Sequence, residues 1–182
     1  MKNIVLITFL GLFSIGIQAQ EIKWVSLNEA LQLQKKEPRK IFMDVYTNWC
    51  GPCKMLDKNT FHNKDVVDYV NKNYYAVKFD AEGNSTIKYD GKTFSNPNYN
   101  PDLVNKRNGV HDLTMYLKIG AYPSMVFFNE ESQVLTAIKG YQNPQQLELY
   151  LKLFKNNDHK DLKTQEDFNA YFTAFTPTFK GE

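Results

Sequence analysis

The sequence predicts an α/β fold with a mixed central sheet, and three observations carry that expectation. Short apolar runs rich in β-branched and aromatic residues, "KIFMDVYT" (40–47), "YYAVKFD" (74–80) and "SMVFFN" (124–129), have the pattern of strands buried on both faces of a sheet. Helical stretches with start signals separate these runs, which is the alternation of an α/β chain. The run at 124–129 is joined to "QVLTAIKG" (133–140) by "EES" alone, so a hairpin adds antiparallel strands to the sheet.

The elements follow in order. "MKNIVLITFLGLFSIGIQAQ" carries one lysine, an apolar run from Ile4 to Ile17 and a small Ala19 suited to cleavage, and residues 1–19 read as a secretory signal. The run is shorter than the roughly 20 residues a membrane span needs. The mature chain is therefore expected to be periplasmic or secreted, with no stable membrane insertion after cleavage. "IKWVS" (22–26) alternates as a short strand does, and "SLNE" has capping-box spacing that starts a helix over Leu27 to Lys36, ended by Pro38. Asp44 interrupts the strand at 40–47. A helix should begin at the cysteine pair of "NWCGPCK" (48–54), with a second helical stretch from Asn63, an N-cap candidate, to Lys72. "LTMYLKI" (113–119) is helical, and Asn143-Pro144 starts a helix whose Leu147, Tyr150, Leu151 and Phe154 share one face.

Two stretches exceed this minimal order. Residues 81–112 form an insertion rich in Asn, Gly, Pro and Tyr, in which "IKYDGKTF" (87–94) alternates around Asp90-Gly91, a two-residue hairpin signal. Residues 158–182 form an extension with a cap signal at Thr164 to Asp167 and Phe168, Tyr171, Phe172 and Phe175 at helical spacing. That helix is expected to lay its aromatics on the body. The chain then divides into a signal (1–19), one domain (20–157) carrying the insertion, and the C-terminal extension.

With 42% apolar residues among 182, the chain can bury a real core. Its 22 Lys and Arg are scattered among 20 Asp and Glu, so no basic face for nucleic acid is present. The chemistry must lie in a site, and both cysteines of the chain sit two residues apart in it. Zinc would need four ligands, yet there is no second C-x-x-C, and His62, His111 and His159 lack ligand spacing. A disulfide closing so short a loop removes little unfolded-state entropy, so a structural staple is poorly supported. A redox dithiol gives every residue a task. Cys50, at a helix N-terminus, is the attacking sulfur; Pro52 fits the first turn; Gly51 leaves Cys50 unobstructed; Cys53, one turn further in, resolves the mixed disulfide.

"MDVYTNWCGPCK", followed some seventy residues later by "AYPSMVFF", resembles the thioredoxin superfamily. "TNWCGPCKMLDKNTFHNKDVVDYVN" is similar in particular to the thioredoxin-like C-terminal domain of transmembrane thiol-disulfide interchange proteins. The resemblance covers 40–83 and 113–155 and implies a thioredoxin fold, with no cofactor and no metal. It implies Cys50 as nucleophile, Cys53 as resolving thiol, Asp44 as the buried acid, and Trp49, Gly51, Pro52, Tyr122 and Pro123 as the substrate-facing surface. Pro123 would be a cis-proline presenting the backbone of Tyr122. Asp44, a carboxylate in an apolar strand, should have a raised pKa and could exchange a proton with Cys53; a purely structural, hydrogen-bonded acid is the other reading. Thioredoxins pair that acid with a lysine on the next strand. The matching position is Ala76, while Lys78 lies two residues on and points to the same side.

The function implied is an exported protein-disulfide reductase acting on disulfide-containing exported proteins and recharged by a membrane electron donor. The alternatives are a disulfide oxidase or isomerase, or a non-catalytic thioredoxin-like binding module. If the strand before the insertion runs parallel to the one carrying Asp44, the insertion emerges beside Cys50. Its hairpin, with Tyr89, Phe94 and Tyr99, is then expected to help select the substrate.

Overall fold

The computed structural model describes residues 21–181, and the signal read at 1–19 lies outside them. Five strands form the central sheet in the order β1–β3–β2–β6–β7: β1 (Trp24–Val25), β2 (Ile41–Tyr46), β3 (Tyr75–Asp80), β6 (Ser124–Phe128) and β7 (Val134–Lys139). β1, β3 and β2 are mutually parallel, and β6 runs antiparallel to both β2 and β7. A separate hairpin, β4 (Ile87–Tyr89) and β5 (Lys92–Phe94), belongs to the insertion.

Alternation along β2 assigns the two faces. Phe42 joins one apolar cluster with Leu56, Phe61, Val66, Val70, Leu147 and Leu151, beneath α2 (Gly51–Leu56), α3 (Lys64–Asn73) and α5 (Pro144–Lys155). Ile41, Met43 and Val45 join the other, with Leu27 and Ala30 of α1 (Leu27–Lys36) and Leu113 of α4 (Asp112–Tyr116). Asp44 shares its parity with Phe42 and so faces the α2 side.

Helix starts follow their caps. Ser26 Oγ accepts from Glu29 N, Asn63 Oδ1 accepts from Asp65 N and Val66 N, and Asn143 with Gln146 makes a full capping box before Pro144. α4 is shorter than the expected 113–119, because Lys118 turns left-handed at φ 56° and breaks it. α2 has no break at its C-terminal end; it runs into a π-helical turn, Asp57–Phe61. α6 (Gln165–Ala174) forms behind the Thr164/Asp167 capping box. Its Phe168 and Tyr171 rest on the core, but none of its residues is buried and Phe172 is 55% exposed. The buried aromatic of the extension is Phe179, stacked edge-on to Tyr69 at 5.7 Å.

Candidate active site

Register brings the two halves of the site to one sheet edge. Val45, near the end of β2, pairs with Ser124 at the start of β6, so the loop leading to Cys50 and the loop holding Pro123 leave the sheet side by side. The Tyr122–Pro123 bond is cis.

Cys50 is the N-cap of α2 and is bonded to Cys53, with an S–S distance of 2.09 Å. Its Sγ accepts from Cys53 N at 3.2 Å, so a backbone N–H of the first helical turn points at this sulfur. Pro52 occupies the first turn, and a Cβ built at Gly51 would meet nothing within 4 Å, so Gly51 itself lies at the open surface. The expected contrast in exposure between the sulfurs is not found: Cys50 is 3% exposed and Cys53 6%. What separates them is the helix terminus, which only Cys50 caps.

Asp44 is 2% exposed, and its Oδ1 has no hydrogen-bond partner. Burial raises its pKa from 3.8 to about 7; Lys78 opposes that rise and Asp57 adds to it. The acid's lysine is Lys78, not a residue at the position of Ala76, because the strand register sets Asp44 beside Lys78 and Phe42 beside Ala76. Lys78 Nζ lies 3.8 Å from Asp44 Oδ2 and is also ion-paired with Asp57 from the π-turn. The ring of Trp24 lies 5.0 Å from the same ammonium. A cleft of about 220 Å³ connects Asp44, Thr47, Cys53, Lys54, Asp57 and Lys78. The acid and the inner cysteine therefore line one small space.

Trp49 stands between two groups. Tyr122 meets it edge-on at 6.2 Å, and the Arg107 guanidinium lies 4.8 Å from its ring centre. Its Nε1 donates to Glu82 Oε2 at 2.7 Å, and the same oxygen accepts from Asn108 N at 2.8 Å. Glu82 and Arg107 carried no sequence signal, since both lie in the insertion and act only through where it folds.

The insertion splits in a way that corrects the expected substrate hairpin. Tyr89 packs on Phe128 and donates to Ser132 O, and Phe128 pairs with Ile41 at the start of β2, the sheet edge opposite Cys50. Phe94 and Ile87 are buried in the α1-side core. Only Tyr99 of the three expected contacts is near the site, in a crevice with Asn48, Trp49, Glu82, Val104 and Lys106.

The family model described as a thioredoxin-like domain matches residues 27–155. A thiol:disulfide interchange protein DsbD from Pectobacterium atrosepticum is 23% identical over 130 residues, which is 70% of this chain but 18% of that relative. The chain thus spans under a fifth of that relative's length. A putative disulphide-isomerase from Bacteroides thetaiotaomicron is 29% identical with a TM-score of 0.51, over 75% of this chain and 94% of that one. A thioredoxin-fold protein from Helicobacter pylori superposes with a TM-score of 0.57 at 15% identity, over 75% of this chain and 81% of that one. Because the matched span takes in both the Cys50–Cys53 disulfide and the loop of Pro123, the chain belongs to the thioredoxin-like domain family of thiol-disulfide oxidoreductases.

Proposed function

We propose that this protein is an exported protein-disulfide reductase whose dithiol is Cys50 and Cys53. The observation that carries the reading is the cleft lined by both Asp44 and Cys53, which sets a carboxyl of pKa about 7 in the same small space as the resolving cysteine. Such a group holds or releases a proton at working pH.

In the reduced form, the N–H groups at the start of α2 favour a thiolate on Cys50. That thiolate attacks one sulfur of the substrate disulfide, forming a Cys50–substrate bond and expelling a substrate thiolate, which takes up a proton. Asp44 accepts the Cys53 proton, and the Cys53 thiolate attacks Cys50 Sγ. The mixed disulfide breaks, and Asp44 returns its proton through the cleft to the second substrate sulfur or to water. The substrate gains two electrons and two protons, and the Cys50–Cys53 disulfide remains. A dithiol donor recharges it; a membrane partner is supported by the likeness to DsbD. Export rests on the signal at 1–19, ahead of a domain at 20–157 and the extension at 158–182.

Two measurements test this. Cys53→Ser should trap mixed disulfides with exported proteins and Cys50→Ser none; trapping by Cys50→Ser would reverse the assignment. A Cys50–Cys53 potential near the roughly −270 mV of thioredoxin supports a reductase, and one near −120 mV would make the protein an oxidase.

A further inference from the structure

We infer that Arg107 is a specificity-determining residue, set over Trp49, the residue next to the nucleophile, so that the site favours disulfides flanked by acidic residues; the inference rests on the exchange reading above. Cys50 is nearly enclosed, so a disulfide that reaches its sulfur brings its own flanking residues onto the rim formed by Trp49 and the groups that hold it. Arg107 lies over the Trp49 face, is exposed, and has no ion-pair partner among the described residues. Its planar fork of donors is therefore available to a carboxylate from outside.

The arm that carries Arg107 is fixed in place. Asn108, the next residue, donates its N–H to the same Glu82 oxygen that holds Trp49, so one carboxylate positions both the ring and the cation above it. The buried Asn96 side chain donates to Glu82 O, Gly83 O and Gly109 O, tying both ends of the arm together. At Gly109 a Cβ would lie 2.5 Å from Asn98 O, so the returning chain passes closer than any side chain allows. With the backbone of the arm fixed in this way, little main-chain freedom is lost when a ligand meets Arg107.

The exposed charges on this rim are mainly cations. Lys106 lines the crevice beside Trp49, and Lys54 follows Cys53 on α2, both exposed. The acids nearby are engaged: Asp80 accepts from Asn48 Nδ2 and Glu82 N, and Glu82 accepts from Trp49 and Asn108. Asp102 is the exposed acid of the arm, against two exposed cations. The cations most exposed on the rim, Arg107 above all, favour an acidic flank over a basic one at that spot.

The test uses two disulfide-bridged peptides with the same ring, one flanked by Asp and Glu and one by Lys and Arg, with neutral hydroxyethyl disulfide as the reference. Wild type should show kcat/KM about 5- to 10-fold higher for the acidic peptide, shrinking as salt rises. Arg107→Ala should bring that ratio close to one, Arg107→Glu should invert it, and Arg107→Lys should keep part of it. Equal rates for the two peptides in wild type, or a preference that persists in Arg107→Glu, would overturn the inference while exchange with hydroxyethyl disulfide upholds the underlying reading. No exchange with any of the three disulfides would remove both.

Discussion

Met43 and Val45 are fully buried on either side of Asp44 in β2, and the acid between them is held by a lysine 3.8 Å away that it shares with Asp57. Its pKa in the fold, about 7, stands above the ordinary carboxylate value of about 3.9 that it regains on unfolding. Between those two values the folded chain keeps a proton that the unfolded chain has lost. Stability must therefore fall as pH rises from about 4 to about 7, and level off above that. A gap of some three pKa units corresponds to about 4 kcal/mol. Asp44→Asn should be more stable than wild type at pH 8 by a few kcal/mol, nearly equal to it at pH 4, and slower in turnover at neutral pH. Urea unfolding at the two pH values with an exchange assay checks this; a wild-type pH slope that survives the substitution would sink it. Asp44 and the cysteines stand out in the sequence as irregularities in their segments, an acid in an apolar strand and a lone cysteine pair, whereas Pro123 is identified only through the family resemblance. Lys78 was not separable from the position of Ala76 until the β2–β3 register was known. Glu82 and Arg107 left no local mark at all.

The β4–β5 hairpin was legible down to its turn, because Asp90 and Gly91 both take the positive φ, 50° and 69°, that a two-residue turn of this kind requires. Its location was not. Ile87 and Phe94 are directly paired across the hairpin and so make one apolar face. That face is drawn over the sheet beside α1, where it covers core, and the hairpin tip ends up by Ser132, away from Cys50. The segment that follows, from Asn96 to His111, is what returns along the Trp49 side. The two parts of the insertion should accordingly respond differently to mutation. Phe94→Ala removes a buried ring and should cost about 3 kcal/mol of stability, read from denaturant unfolding, while the acidic-over-basic peptide ratio is kept. Loss of that ratio in a stably folded Phe94→Ala chain would return the hairpin to the substrate surface.

Across the whole molecule, the parallel β1–β3–β2 set with antiparallel β6 is what gathers Cys50 and Pro123 at one edge, and the alternating strand and helix signals were enough to expect such a sheet. The closure of the α3–α5 side was harder to read. The extension's helix was visible from its cap and aromatic spacing, but what binds the extension is further on. Glu148, between Leu147 and Leu149 on α5, is fully buried and accepts from Thr178 N, Thr178 Oγ1, Phe179 N and Lys152 Nζ. Lys180 N then donates to Asp65, and Asn63 donates to Lys180 O, which straps the chain across the start of α3. In the sequence Glu148 is one charge in an amphipathic helix, and its partners besides Lys152, namely Thr178 and Phe179, lie about thirty residues away in a segment with no pattern of its own. Burial pushes the Glu148 carboxyl up, but its hydrogen bonds to Lys152, Thr178 and Phe179 outweigh burial and hold it below the usual carboxylate range. A lowered pKa in the fold means that this carboxylate stabilises the protein above its unfolded pKa, near 4.3, and that the contribution is lost as pH falls through the folded value. Truncation after Thr176 removes Phe179 from its place on Tyr69 and leaves Glu148 without its backbone donors. The truncated chain should melt about 5 to 10 °C below the full chain at pH 7, with the gap narrowing below pH 4 as the carboxylate is protonated in both. Thermal scans of the two chains at both pH values decide it, and equal melting temperatures at pH 7 would show that the strap carries no stability.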